Sequence, residues 1–305
     1  MMRLHEPERD FASTLDQCIE GITGNPAFKA KMLAASPDLL NAGAAYIAAG
    51  NVGELYAIAP IDTTTEKNPV VVAGLVKSEL VNLYEYYFRS EEKASRTTYD
   101  KLLNSAHEQC PFCGGIGRPR NLDHFLPKAH FPQFSTFPQN LVPSCRDCNM
   151  DGKAQAFATR EADLLIQPYV DHERFFTTQW IFAECVVDAA NCPTSIHYFV
   201  RPPQDWDDVH KHRVQKHFDD FDLAIRYAVE AATILPVALG QIANLLKAGL
   251  PVATISTTIL TPGIDIAPFV NHWIKGLFQA LDDHLKREEI LRRRNDATNA
   301  TTGVA

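Results

Sequence analysis

Two Cys-x-x-Cys pairs, at Cys110 and Cys113 and at Cys145 and Cys148, constrain this chain more than any other feature. Four thiolates in two such pairs are a zinc-ligand pattern, because together they close a tetrahedral shell around the ion. A closed shell offers no open coordination position, so such a zinc is structural. Asp123 and His124, then Asn140, lie between the pairs; Asn149 follows the last cysteine directly and Lys153 stands four residues further on. Whatever chemistry these polar residues perform must be built on the same scaffold as the metal site.

With 305 residues, 46% of them apolar, the chain can bury one large core or two modest ones. A formal net charge of −8 argues against indiscriminate coating of nucleic acid. The sign reverses locally: Arg118, Arg120, Lys128, Arg146, Lys153 and Arg160 face only Asp123, Asp147 and Asp151 between residues 110 and 160. The N-terminus MMRLHEPERDF is charged and lacks an apolar segment, so no signal peptide is expected. No uncharged apolar run approaches the length of a membrane span, so none is expected. These readings predict a cytoplasmic protein whose paired cysteines hold metal rather than disulfides. Cys18, Cys185 and Cys192 are expected to be core residues.

Residues 1–105 read as a helical region with no chemistry of its own. Phe11, Leu15, Cys18, Ile19 and Ile22 form one stripe, and Asn25-Pro26 breaks it. A second helix is expected to open at Ser36-Pro37 and end at Gly50-Asn51, with further helices over 71–88 and 95–107. Residues 106–165 form the cysteine-rich unit. Gly114, Gly115 and Gly117 suit a zinc knuckle, and short strands at 120–125 and 140–143 flank a loop rich in proline and aromatic residues. A helix is expected from Arg146 to Phe157. In residues 166–293, strands at 180–187 and 195–200 precede long helices, one interrupted at Pro236, with a turn at Pro262-Gly263 and a last helix from Pro268. Residues 294–305 are polar and expected to be disordered. His210, His212 and His217 do not share one helical face and no thiol or carboxylate pattern completes a site, so they read as packed or solvated helix residues. The fold class expected is α+β, mostly helical, with a small zinc-stabilised ββα unit between helical regions.

Cys110-x-x-Cys113, Asp123-His124-x-x-Pro127, Asn140-Leu141, Cys145-x-x-Cys148-Asn149 and Lys153 together resemble an HNH endonuclease of the ββα-metal type, over about one sixth of the chain. The resemblance implies hydrolysis of DNA phosphodiester bonds to 5′-phosphate and 3′-hydroxyl ends, with RNA not excluded as substrate. It implies that His124 is the general base, that Asp123 and Asn149 hold a catalytic Mg2+ or Mn2+, and that Asn140 ties the loop to the strand and orients His124. The four cysteines would hold structural Zn2+. Asn149 stands where the pattern can also have His, and Lys153 lies one residue further past it than is more usual. Lys128, His130 and Lys153 are candidates for substrate contact. Neighbouring strand residues point to opposite faces, so Asp123 and His124 are expected to serve one site through a bend or bulge. The family setting implies defence against phage or mobile DNA, under a regulatory partner such as an ATPase or as a homo-oligomer. The alternative class is a catalytically inactive, zinc-stabilised adaptor that binds nucleic acid or protein.

Overall fold

A computed structural model describes residues 1–153 and 156–302, without the side chains of residues 151 and 293–302. The chain builds an α+β, mostly helical fold with small antiparallel sheets, divided into two compact units. One comprises Met1–Phe175 with Trp206–Phe221, the other Phe176–Asp205 with Asp222–Ala305.

In the first unit, α1 (Phe11–Glu20) starts where Asp10 accepts the Ser13 N–H, and it buries the expected Phe11, Leu15, Cys18 and Ile19. α2 runs unbroken from Pro26 to Asn51. Pro26, expected only as a break, occupies its first turn behind the Asn25 cap, while Pro37 lies inside it rather than opening a second helix. Gly43 admits the Phe11 ring; a Cβ there would come within 2.8 Å of it. One turn on, Tyr46 meets the rings of Phe134 and Phe137 edge-on, each at 5.1 Å.

The helix expected over 71–88 is divided. Three valines favour extended backbone, and β1 (Val70–Val72) pairs with β2 (Leu75–Val76) about Ala73 and Gly74, both left-handed. α3 (Lys77–Asn82) then passes into a π-helical stretch, Leu83–Phe88. α4 (Arg96–Asn104) leads to the knuckle. β3 (Asn121–His124) pairs antiparallel with β4 (Leu141–Ser144), Asp123 opposite Val142 and His124 opposite Leu141. A π-helical turn, Asp147–Lys153, stands where the helix to Phe157 was expected; residues 154–155 of that span lie outside the described residues. After α5 (Arg174–Thr177), α6 (Asp208–Asp220) returns to this unit. Its Arg213 is completely buried, donating to the carbonyls of Leu164 (2.9 Å) and Leu165 (3.2 Å) and pairing with Asp171. Residues 106–165 thus share one compact unit with 1–105 and with α6.

In the second unit, β5 (Ile181–Val187) and β6 (Pro193–Val200) form an antiparallel pair. Its turn carries left-handed Asn191 and leaves Cys192 exposed, contrary to the core role expected for it; Cys185 is half-buried and Cys18 buried. α7 (Leu223–Lys247) contains Pro236 without interruption, and the helical break falls instead at left-handed Asp222. It buries Leu223, Tyr227, Ala231, Leu235, Ala238 and Ile242 along one face, and the Tyr227 ring meets Tyr198 at 5.5 Å. By length and composition α7 is long and apolar enough to cross a membrane, although polar residues interrupt its apolar run. α8 (Val252–Ile255) continues through a π-helical turn, Ser256–Leu260, into α9 (Thr261–Asp265), so Pro262 and Gly263 are helical rather than a turn. α10 (Trp273–Thr302) begins after Pro268 and continues past Arg293, since no glycine or proline intervenes before Gly303. Of the tail expected to be disordered, residues 303–305 lie outside the described residues.

Removing one partner of a buried ion pair strands the other charge. Asp171→Ala is therefore expected to lower the unfolding free energy by about 3–5 kcal/mol, measured by urea denaturation. A loss no larger than that of an exposed charge would show that Arg213 is satisfied by the Leu164 and Leu165 carbonyls alone.

Candidate functional site

The sulfur atoms of Cys110, Cys113, Cys145 and Cys148 are buried and all lie within 4.8 Å of one another. A tetrahedral zinc with bonds of about 2.3 Å needs sulfurs about 3.8 Å apart; those of Cys113 and Cys145 are 4.0 Å apart. The donor set and its spacing fit a structural zinc. The glycines explain the local turn. Gly114 and Gly115 have φ of 62° and 90°, and the Gly117 N–H donates to the Cys113 sulfur at 3.3 Å. A Cβ on Gly117 would stand 2.5 Å from the Cys145 sulfur, so the first pair can close on the second only with glycine there.

α6 backs this knuckle. His217 donates through Nε2 to the Phe112 carbonyl at 2.8 Å, and Phe221 stacks on Phe112 at 5.3 Å. Burial pushes His217 down to about 3. His210 pairs with Asp207 and His212 approaches Asp163, so these histidines are packing and surface residues, as expected. The role of His217 and Phe221 at the knuckle carries no local sequence signal.

Asp123, His124, Lys128 and Asn149 line one open cleft of about 340 Å³. No bulge brings them together: the β3 register is regular, and His124 ends the strand, where side chains are freed from strict alternation. His124 Nε2 lies 2.9 Å from the Ser135 carbonyl oxygen. A carbonyl only accepts, so Nε2 carries the proton and Nδ1 keeps its lone pair. The Tyr84 ring meets the imidazole edge-on at 4.5 Å and fixes its plane. Burial, reinforced by the charge of Lys128, pushes His124 down to about 3, so the ring is neutral at neutral pH.

Asn140 lies outside the cleft, completely buried, with its amide fully used. Its Oδ1 accepts the Leu126 N–H (2.7 Å) and the Tyr46 hydroxyl (3.2 Å); its Nδ2 donates to the carbonyls of Leu126 (3.1 Å) and Phe134 (3.2 Å). It thereby ties residues 126–134 to the start of β4 and holds the backbone next to Ser135.

Lys153 departs from the expected substrate contact. It is buried beneath the cleft, its ammonium 3.1 Å from Asp123 Oδ2 and donating to the His124 carbonyl at 2.6 Å. A π-helical turn is wider than an α-turn, which is how the residue four past Asn149 comes to lie under β3. Burial raises the Asp123 pKa, and Lys153 opposes that shift. Asp123 Oδ2 is buried yet accepts no hydrogen bond of good geometry. Asp123 and Asn149 both line the cleft, the carboxylate held from below by Lys153. Lys128 lies on the cleft wall, 3.0 Å from Glu85 and over the Tyr84 ring. His130 rests against Phe157 and does not line the cleft.

The region read as devoid of chemistry also contributes. Lys77, Tyr84, Arg89 and Tyr99 line the same cleft. The only local hint was the density of aromatic residues and charge in YEYYFR, residues 84–89.

No family model matches the chain, and no solved structure does. Protein ea31 of Escherichia phage lambda is 36% identical over 294 residues, an alignment that covers 92% of this chain and 97% of the phage protein.

The purified chain is expected to carry one zinc, and Cys148→Ser to lose it together with most of its thermal stability; full stability without zinc would show that the thiols pack unaided. The two buried histidines set the acid limit. Their pKa values are depressed in the folded chain to about 3, so the unfolded chain binds more protons below about 6.5 and the folded state loses stability as pH falls from there toward 3. Urea midpoints at pH 7.5 and pH 5 measure this, and equal midpoints would contradict it.

Proposed function

This chain belongs to the family of Protein ea31 of Escherichia phage lambda, and we propose that it is an HNH-type endonuclease that hydrolyses DNA phosphodiester bonds with the help of a divalent ion. The name of that relative states no activity, so the reading rests on the cleft. The observation that carries it is the Nε2–H of His124 donated to the Ser135 carbonyl, in a cleft that Asp123 and Asn149 also line.

With Nε2 committed, Nδ1 is the atom through which His124 takes a proton from water as the water attacks phosphorus. Burial keeps the ring neutral at physiological pH, so the Nδ1 lone pair is free to accept. Tyr84 and the Ser135 carbonyl prevent the ring from rotating away. Asn140 acts one step back, holding the Phe134 carbonyl and so the Ser135 backbone. Lys153 locks Asp123 and the end of β3 through a single ammonium. Asp123 and Asn149 would hold Mg2+ or Mn2+, which supplies the charge that stabilises the developing phosphorane-like oxygens and the leaving oxygen. Lys128, over the Tyr84 ring that also supports His124, presents a cation to the phosphate. The thiolate site takes no part in the chemistry and maintains the turn that carries Asn149.

Supercoiled plasmid incubated with Mg2+ or Mn2+ is expected to be nicked by the wild-type chain, and at least about 100-fold more slowly by His124→Ala. Cleavage by both proteins, or by neither, would overturn the assignment; DNA binding without cleavage by either would favour the adaptor reading. Labelled RNA in the same assay separates the two nucleic acids. Because His124 is already neutral, kcat/KM is expected to stay flat from about pH 5.5 to 8 at fixed metal. An acid limb centred near 6.5, the ordinary histidine value, would contradict a buried neutral base.

A further inference from the structure

We propose that the wall of the cleft supplied by residues 77–89 is a binding site for a nucleic-acid phosphodiester, gripped by Arg89 and Lys128, with Glu85 as the built-in anion that the phosphate displaces. Glu85 Oε2 lies 2.9 Å from Arg89 Nη2, and Oε1 lies 3.0 Å from Lys128 Nζ. One carboxylate therefore bridges two cations, one oxygen to each. The two non-bridging oxygens of a phosphodiester present the same arrangement of charge and acceptors. All three side chains remain open to solvent, at 26% of the side-chain surface for Glu85, 55% for Arg89 and 31% for Lys128.

Lys77 adds a third cation to this wall and, among the described residues, has no carboxylate within ion-pair distance. The wall thus carries more cation than Glu85 can neutralise, in a chain whose net charge is −8. Its position gives that surplus a purpose. The Tyr84 ring lies under Lys128 at 4.9 Å and against His124 at 4.5 Å, so the cations and the imidazole share one aromatic support. The backbone feature that presents Glu85 and Arg89 is the π-helical stretch Leu83–Phe88, closed by the Arg89 N–H donating to the Tyr84 carbonyl at 2.8 Å. Such turns are rare and are frequent at functional sites.

The proposal takes the location of the scissile phosphate from the nuclease reading, but its test is binding and needs no cleavage. It uses the full zinc-loaded chain carrying His124→Ala, without added divalent ion. Anisotropy of labelled duplex DNA, single-stranded DNA and RNA is measured over a range of salt. Arg89→Ala and Lys128→Ala are each expected to weaken binding about 5–10-fold and to lower the salt slope by about one. Glu85→Gln is expected to tighten it several-fold, because two cations lose their internal anion. Lys101→Ala, which removes an exposed charge on α4 paired with Glu8, should change neither quantity. Thermal unfolding of every variant confirms that the fold is intact. Normal affinity and slope in both cation variants would overturn the proposal, as would weaker binding by Glu85→Gln or no nucleic-acid binding by the parent. If the cation variants bind normally while the wild type still nicks plasmid through His124, the nuclease reading stands and this site falls. If they lose binding while the wild type never cuts, this site stands and the nuclease reading falls.

Discussion

Four sulfur atoms drawn within 4.8 Å of one another impose the geometry on which the cleft depends. Cys145 is the first residue after β4 and Cys148 lies in the π-helical turn, so a common ligand sets the angle between strand and turn. Asn149 is the next residue, and Lys153 lies at the end of the same turn. Release of the sulfurs would free the turn and withdraw Lys153 from Asp123. A metal on these sulfurs would achieve what a short segment with few spare apolar residues cannot achieve by packing.

The buried charges beneath the cleft are not arranged for stability alone. An ammonium and a carboxylate taken out of water lose hydration that their attraction does not reliably restore. Lys153 recovers part of it through the His124 carbonyl, yet Asp123 Oδ2 is left near a charge without a well-formed hydrogen bond. Asn140 is the opposite case. Every lone pair and proton it needs to use is used, and it serves as a rigid pin between loop and strand. The contrast separates an amide whose hydrogen bonds are all made from a carboxylate held by charge alone at one oxygen.

What could be read from sequence was local. The cysteine pairs, the two short strands around 121–124 and 141–144, and the strands β5 and β6 follow from spacing and pleat, and they lie where the sequence places them. Prolines were less informative. Pro37 and Pro236 sit inside helices whose buried faces continue on both sides, so packing outweighs the lost backbone hydrogen bond. Lys153 lies under β3 because the turn is π-helical, where the sequence leads one to expect an α-helix to Phe157. Arg89 and Lys77 look, in sequence, like ordinary solvated charges on a helix; only the fold brings them to Asp123 and His124. Arg213 and His217 are similar: a charged and a titratable residue completely buried through partners about 40 to 100 positions away.

The chain leaves the first unit after Phe175 and returns to it at Trp206. α6 is therefore the last part of that unit to be synthesised, although it carries the His217 and Phe221 that back the zinc knuckle. A ribosome delivers every cleft residue before it delivers this support. A nascent chain that ends at residue 205 holds the cysteines, the imidazole and the cationic wall, but the Phe112 carbonyl and ring lack their cover. The order of synthesis itself therefore places the packing behind the knuckle after every residue of the cleft.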